Sequence, residues 1–228
     1  MDRPFLGILA LDTNFPRIKG DVGNPDSYPF PVVVEVVTGA DSPDIVRDGM
    51  PADWLLKAFI AKARVLEERG AAAIISTCGF LVNAQTDIAS AVKIPVLLSA
   101  LSLFSLALAA CPGRIGILTA SDQALGHNTL TAAGISPELV AVAGLEDVPK
   151  FAETFLEPRE KQATELDYSA IENAVVARAI GMQKANPDLS AFILECGNLP
   201  PYANAVKQAT GLPVFHLVGA ASLLMEAS

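Results

Sequence analysis

The sequence predicts an α/β protein of two pseudo-twofold-related lobes, each a mainly parallel four-stranded sheet flanked by helices, with a cleft between them. First, short apolar runs alternate with helical patterns along the whole chain, the signature of parallel strands joined by right-handed crossovers. Second, the strand runs are apolar almost without interruption, as strands covered on both faces are. Third, the chain repeats itself. AAIISTCGF…KIPVLLSALSLFSLAL in the first half and AFILECGN…GLPVFHLVGAASLLM in the second both end an apolar run in Cys-Gly, and Cys78 and Cys196 each stand 17 residues before a proline followed by Val, Pro95 and Pro213.

In chain order, PFLGILAL is an apolar strand, and a polar, proline-rich loop runs from Asp12 to Pro29. FPVVVEVV is a β-branched strand. From Pro51 to Arg69, Trp54, Leu55, Ala58, Phe59, Lys62, Ala63 and Leu66 recur at three and four, a helical period, with Gly70 as the stop. AAAIIST is a strand ending at Cys78; 83–92 reads as helix, PVLLSA as strand and 101–110 as helix. The second half follows the same order. RIGILTA is a strand, 122–133 a helix stopped by Gly134, and LVAVAGL a strand. A charged segment, 146–167, answers the first half's long loop in position only. Helix 168–185, strand SAFILE ending at Cys196, helix 200–209, strand PVFHLV and a terminal helix complete the repeat. The division is 1–100 for the first lobe, 101–213 for the second, and 214–228 packing back on the first.

The run Ile94–Gly113 has no charge over 20 residues, long enough for a membrane span. Pro95, three internal serines and the similar run in the second copy fit a buried strand and helix better, so no membrane segment is expected. The N-terminus lacks a basic region and a long apolar core, so no signal peptide is expected either. A net charge of −9 without a basic stripe excludes nucleic acid as a partner. Three cysteines without a CxxC, and only two histidines, His127 and His216, argue against a disulfide framework and a metal site. Reduced thiols place the chain in the cytoplasm.

Open parallel sheets bind ligands beyond the carboxyl ends of their strands. Cys78 and Cys196 sit at two such ends. A desolvated thiolate is a competent base for a carbon acid. Two thiols on opposite faces of one carbon would remove a proton from one side and return one to the other. The backbone N–H groups of Gly79, Phe80, Gly197 and Asn198, each pair at a helix start, are expected to face the cleft and hold a carboxylate and its enediolate. Asp12, Thr13, Asn14, Thr119, Ser121 and Asp122 at the other strand ends are polar groups able to orient a substrate. Asp12, Asn14, Thr119 and Ser121 are taken as substrate-binding. The Asp12–Pro29 loop reads as a lid; its Arg17 and Lys19, and also Arg47 and Lys161, are the cations open to an anion. Tyr28, Phe30 and Phe80 line the pocket or pack. Cys111, unmatched in the repeat, reads as structural, and His216 as a packed residue.

These residues resemble the aspartate/glutamate racemase superfamily, which includes hydantoin racemases, maleate isomerases and arylmalonate decarboxylases. The resemblance rests on the strand-end cysteines in TCGF and LECGN, the PV strands after them, the GILTAS strand opening the second half, and GDVGNPDSYPFPVVVEVVTGA. It implies a cofactor-independent enzyme with Cys78 and Cys196 as its acid/base pair, a small carboxylate as substrate, and a homodimer. Amino-acid racemases of this group carry Thr, or Asn-Thr, after these cysteines; here the followers are Gly79-Phe80 and Gly197-Asn198. The hydroxyls expected to hold a substrate carboxylate are therefore absent. The expected activity is racemisation or epimerisation of an amino acid or related carboxylate. A cysteine-dependent cis–trans isomerase or decarboxylase, and a non-catalytic two-lobed binding protein, are the alternatives.

Overall fold

The computed structural model describes residues 4–227. Among the described residues, eight strands form two parallel sheets of identical order. β1 (Phe5–Leu11), β2 (Val32–Val37), β3 (Ala71–Ser76) and β4 (Val96–Leu97) pair as β2-β1-β3-β4; β5 (Arg114–Leu118), β6 (Val140–Ala143), β7 (Leu189–Leu194) and β8 (Val214–His216) pair as β6-β5-β7-β8. The register slips at the same place in both sheets, between Phe5 and Leu6 and between Arg114 and Ile115. The helices are α1 (Ser42–Ile45), α2 (Asp53–Glu68), α3 (Gln85–Ser90), α4 (Phe104–Ala110), α5 (His127–Ala132), α6 (Pro149–Phe155), α7 (Tyr168–Ala185), α8 (Ala203–Thr210) and α9 (Leu217–Glu226).

The repeat extends to packing. α2 buries Leu55, Phe59, Ala63 and Leu66 against its sheet, and α7 buries Ile171, Val175, Ala179 and Met182, the same four positions of the helix period. The 20-residue uncharged run divides into β4, a 3-10 turn over Ala100–Leu103 and the seven-residue α4. Ser99 stops any continuous helix by accepting from the Leu101 N–H in extended geometry. Among the described residues no helix is long and apolar enough to cross a membrane.

Several expected elements change length. The helix expected over 122–133 begins only at His127, because Gly126 is extended and caps it without a side chain. The cap comes instead from the other lobe: Asp48 accepts from the Thr129 N–H at 2.8 Å, the Thr129 hydroxyl at 3.0 Å and the Asn128 N–H at 3.3 Å. The charged segment 146–167 contains α6, which its composition concealed. The expected terminal segment 214–228 is divided between the lobes. β8 pairs with β7 in the second sheet, while α9 packs on β1 and β3 of the first. In return α4, from the first copy's pattern, packs on β5 and β7. The two lobes thus exchange their last helices and share one core.

Candidate functional site

β3 and β7 end side by side, each delivering its cysteine into one small cavity between the sheets. Cys78, Cys196, Glu195, Asn198 and Arg17 line it, with Phe15, Phe80 and Phe155 among its apolar walls. Both thiols are buried, at 7% and 8% exposure.

The two turns cross reciprocally. A Cβ on Gly79 would stand 2.2 Å from Glu195 Oε1 and 2.4 Å from the Glu195 carbonyl oxygen; a Cβ on Gly197 would stand 2.2 Å from the Thr77 carbonyl oxygen. Each glycine lets its strand end pass against the residue preceding the other cysteine. That close approach, rather than backbone conformation, is what requires glycine here. The expected carboxylate cradle of backbone N–H groups is arranged differently. The Phe80 N–H faces the Cys78 sulfur and the Asn198 N–H faces the Cys196 sulfur, each favouring thiolate. The Gly197 carbonyl accepts from the Val22 N–H at 3.0 Å, tying the 12–29 loop to the second turn.

Glu195, beside Cys196, lines the cavity although no repeat or spacing marks it. It is 2% exposed; its Oε2 accepts from the Thr119 hydroxyl at 2.8 Å, and its Oε1 has no hydrogen-bond partner. Burial pushes its carboxyl up to about 7. Its counterpart in the first turn is Thr77, whose hydroxyl accepts from the Leu11 N–H at 3.1 Å. A sequence signal was present: where the first copy reads STC, the second reads LEC.

Burial first, and then the Glu195 carboxylate, raise both thiols. Cys78 rises to about 12, with Arg17 pulling the other way, and Cys196 rises well above its ordinary value, with Cys78 and Asp21 adding to the push. Cys196 also donates its S–H to Asn198 Oδ1 at 3.4 Å, and Asn198 Nδ2 donates to Asp21 Oδ2 at 2.7 Å. Asp21, 2% exposed, in turn takes a hydrogen bond from Arg17 Nη1 at 2.8 Å. Arg17 lies 4.8 Å over the Phe15 ring and gives a second hydrogen bond to the Thr13 hydroxyl. The lid-like loop is therefore built into the site from both ends.

The other expected residues sit elsewhere. Thr119 lies behind Glu195 and supports it. Ser121 donates to Glu146 and accepts from the Ala124 N–H, a turn cap. Asp12 is ion-paired with Arg159 at 2.8 Å, and exposed Asn14 gives its N–H to Gln162 Oε1. Asp12, Asn14, Thr119 and Ser121 are absent from the cavity wall, as are Lys19, Arg47 and Lys161. Tyr28 and Phe30 stack on each other at 5.7 Å, away from it. His216 caps α9 through Nδ1, which accepts from the Gly219 N–H. The segment 146–167 closes the cavity with Phe155 and Leu156. Arg159 and Gln162 pin that segment to Asp12, Asp41 and Ser42 of the first lobe. Among the described residues no cluster of His, Cys, Asp and Glu could hold a metal ion.

A family model described as Asp/Glu/Hydantoin racemase matches residues 25–225. The chain is 31% identical over 230 residues to a dimethylsulfoniopropionate lyase of Durusdinium sp. clade D, covering 97% of this chain and 74% of that protein. It is also 31% identical to dimethylsulfoniopropionate lyase 6 of Emiliania huxleyi, covering 94% of this chain but only 57% of that protein. Among solved structures, allantoin racemase from Klebsiella pneumoniae superposes with a TM-score of 0.68 at 18% identity, covering 99% of this chain and 87% of that one. A mutant of arylmalonate decarboxylase superposes with a TM-score of 0.65 at 16% identity, covering 99% and 94%. At such identities the structures speak for the fold. The two-lobed α/β architecture, the repeat and the family match agree: this chain belongs to the Asp/Glu/hydantoin racemase family.

Proposed function

We propose that this protein is a cofactor-independent enzyme that removes the α-proton of a small carboxylate with a cysteine thiolate, and that the reaction ends in β-elimination of a dimethylsulfonium group. The observation that carries the first part is the pair of buried thiols, one from each lobe, in a single cavity. The relatives named dimethylsulfoniopropionate lyases support the second part. The curated relatives cover more than this chain does, so their substrate is adopted here as a proposal.

Cys78 is the base in this account. Arg17 favours its thiolate, whereas Cys196 is held as a thiol donor by Asn198. The Cys78 thiolate takes the α-proton, and the Arg17 guanidinium, with two of its donors committed to Asp21 and Thr13, offers the rest to the substrate carboxylate as it becomes an enediolate. The Cα–Cβ double bond forms as the Cβ–S bond breaks, and dimethyl sulfide departs with the electron pair. The products are dimethyl sulfide, acrylate and one proton, which passes from Cys78 to solvent. A neutral thioether leaves without being protonated, so one thiol is sufficient. Incubation with dimethylsulfoniopropionate and assay of dimethyl sulfide and acrylate tests the reading; no release across the pH range of stability would count against elimination.

Racemisation is the second reading, favoured by the presence of two thiols in one cavity. It requires both, because each enantiomer is deprotonated by a different sulfur. Loss of optical rotation together with α-deuteration of amino acids or hydantoins in D₂O would support it. We also propose a homodimer, with exposed Leu106 of α4 and Leu223 of α9 as the surface to cover; sedimentation at several concentrations reads it.

A further inference from the structure

Glu195 is costly where it stands. A buried carboxylate is ordinarily paired or fully hydrogen-bonded. Here the Thr119 hydroxyl and the Ala120 N–H face the carboxylate, Oε1 has no hydrogen-bond partner among the described residues, and among them no Lys, Arg or His forms an ion pair with Glu195. Arg17, the cation that lines the same cavity, is already paired with Asp21. The fold does not demand the charge, because Thr77 occupies the equivalent place in the first turn with a hydroxyl. The walls beside it include Phe15, Phe80 and Phe155, surfaces that suit a cation lacking N–H donors.

We propose that Glu195 is the subsite for an onium group carried by the substrate, a sulfonium or quaternary ammonium beside the α-carbon, and that arrival of this cation is what allows a thiol to ionise. The inference rests on the carbanion chemistry proposed above. The charged and titratable groups lining the cavity are Glu195, Cys78, Cys196 and Arg17, and Asp21 and the buried Tyr202 hydroxyl act on Cys196 from outside its wall. A thiolate formed there would stand against the Glu195 carboxylate with Arg17 already partly neutralised. A bound onium cancels the Glu195 charge, so the thiolate forms next to a neutral pair. The base is thereby generated only when a substrate of the right charge is present.

The test compares two isosteric carboxylates that differ in charge alone, 3-(trimethylammonio)propionate and 4,4-dimethylpentanoate, by calorimetry at pH about 8.5, above the value of about 7 to which burial raises Glu195. The wild type is expected to prefer the cationic probe by about tenfold or more, and Glu195→Gln to lose that preference. β-Alanine, the N–H-bearing cation, serves as a third probe and is expected to bind more weakly than its trimethyl form. Thiolate absorbance in the ultraviolet, followed against pH, gives the second readout. It should rise at lower pH when the cationic probe binds the wild type, and at lower pH in Glu195→Gln without any probe. Equal binding of the two isosteres to the wild type, a charge preference that survives in the variant, tighter binding of β-alanine, or a thiol titration unmoved by the variant each overturns the proposal. Should Glu195→Gln fail to fold, Glu195→Thr, which copies the first turn, carries the same measurements. All of these readouts are independent of turnover, so they stand or fall apart from the elimination itself.

Discussion

The two cysteine turns are built on one plan and tuned to opposite ends. Each follows the third strand of its half, each presents a buried thiol, and each uses a glycine to pass the other strand end. The first turn, Thr77-Cys78-Gly79-Phe80, is uncharged, and the cation acting on its sulfur is Arg17. The second, Glu195-Cys196-Gly197-Asn198, carries a buried carboxylate and places its sulfur in a hydrogen-bonded chain through Asn198 and Asp21 to Arg17. The lesson is that the repeat supplies position while the departures from it supply polarity. A symmetric site would treat both faces of a carbon alike; this one sets a guanidinium toward one sulfur and a hydrogen-bonded amide against the other.

The comparison is broken most severely by removing the thiol beside Arg17. Cys78→Ser is expected to lower turnover by about 10³-fold, within the range of a general base, while Cys196→Ser keeps a substantial fraction of elimination activity. Equal losses in the two variants would restore a symmetric two-base site. Next come the crossing glycines. Gly197→Ala pushes a methyl into the Thr77 carbonyl and Gly79→Ala pushes one into Glu195. Each is expected to destabilise the protein by about 3 kcal/mol in denaturant titration, the upper range for overpacking, since a backbone atom cannot move aside.

Glu195 gives a pH signature that Thr77 cannot. Its carboxyl is raised to about 7, so the folded protein holds this proton more tightly than the unfolded chain does. The folded state gains most from this group at acid pH, and the gain is lost as pH rises from the ordinary carboxylate range through about 7. Glu195→Gln is therefore expected to be the more stable protein at pH about 8.5, by on the order of 3 kcal/mol, with little difference at pH about 4. Equal stabilities at both pH values would mean that the buried carboxyl does not titrate. Smallest is the lock between lobes. Asp48→Ala removes the borrowed cap of α5 and should cost about 1 kcal/mol in thermal unfolding.

Much of this architecture is legible in the sequence, because its signals are local or repeated. The strand order follows from two copies of one alternating pattern, and α2 and α7 from their period. The cysteines stand out because their spacing to Pro95 and Pro213 recurs. What escapes is non-local. The cap of α5 comes from Asp48, in the other lobe, so nothing near residue 122 announces where the helix starts. β4 and β8 are short because Ser99 and His216 turn the chain into helices at once, which apolar runs alone do not reveal. Thr119 and Ser121 were expected at the cavity from their strand-end positions; Thr119 faces Glu195 and Ser121 faces Glu146, which only the fold brings near. Glu195 was hidden differently. It stands beside Cys196 at the end of an apolar strand, and only alignment of the two copies sets it against Thr77.

The most direct test of the central claim follows dimethylsulfoniopropionate by proton magnetic resonance in D₂O with the wild type and with Cys78→Ser. The account predicts that the wild type releases acrylate and dimethyl sulfide and that Cys78→Ser releases neither at a comparable rate. Substrate that is neither cleaved nor deuterated at its α-carbon by the wild type, or cleavage that proceeds unchanged in Cys78→Ser, would contradict it.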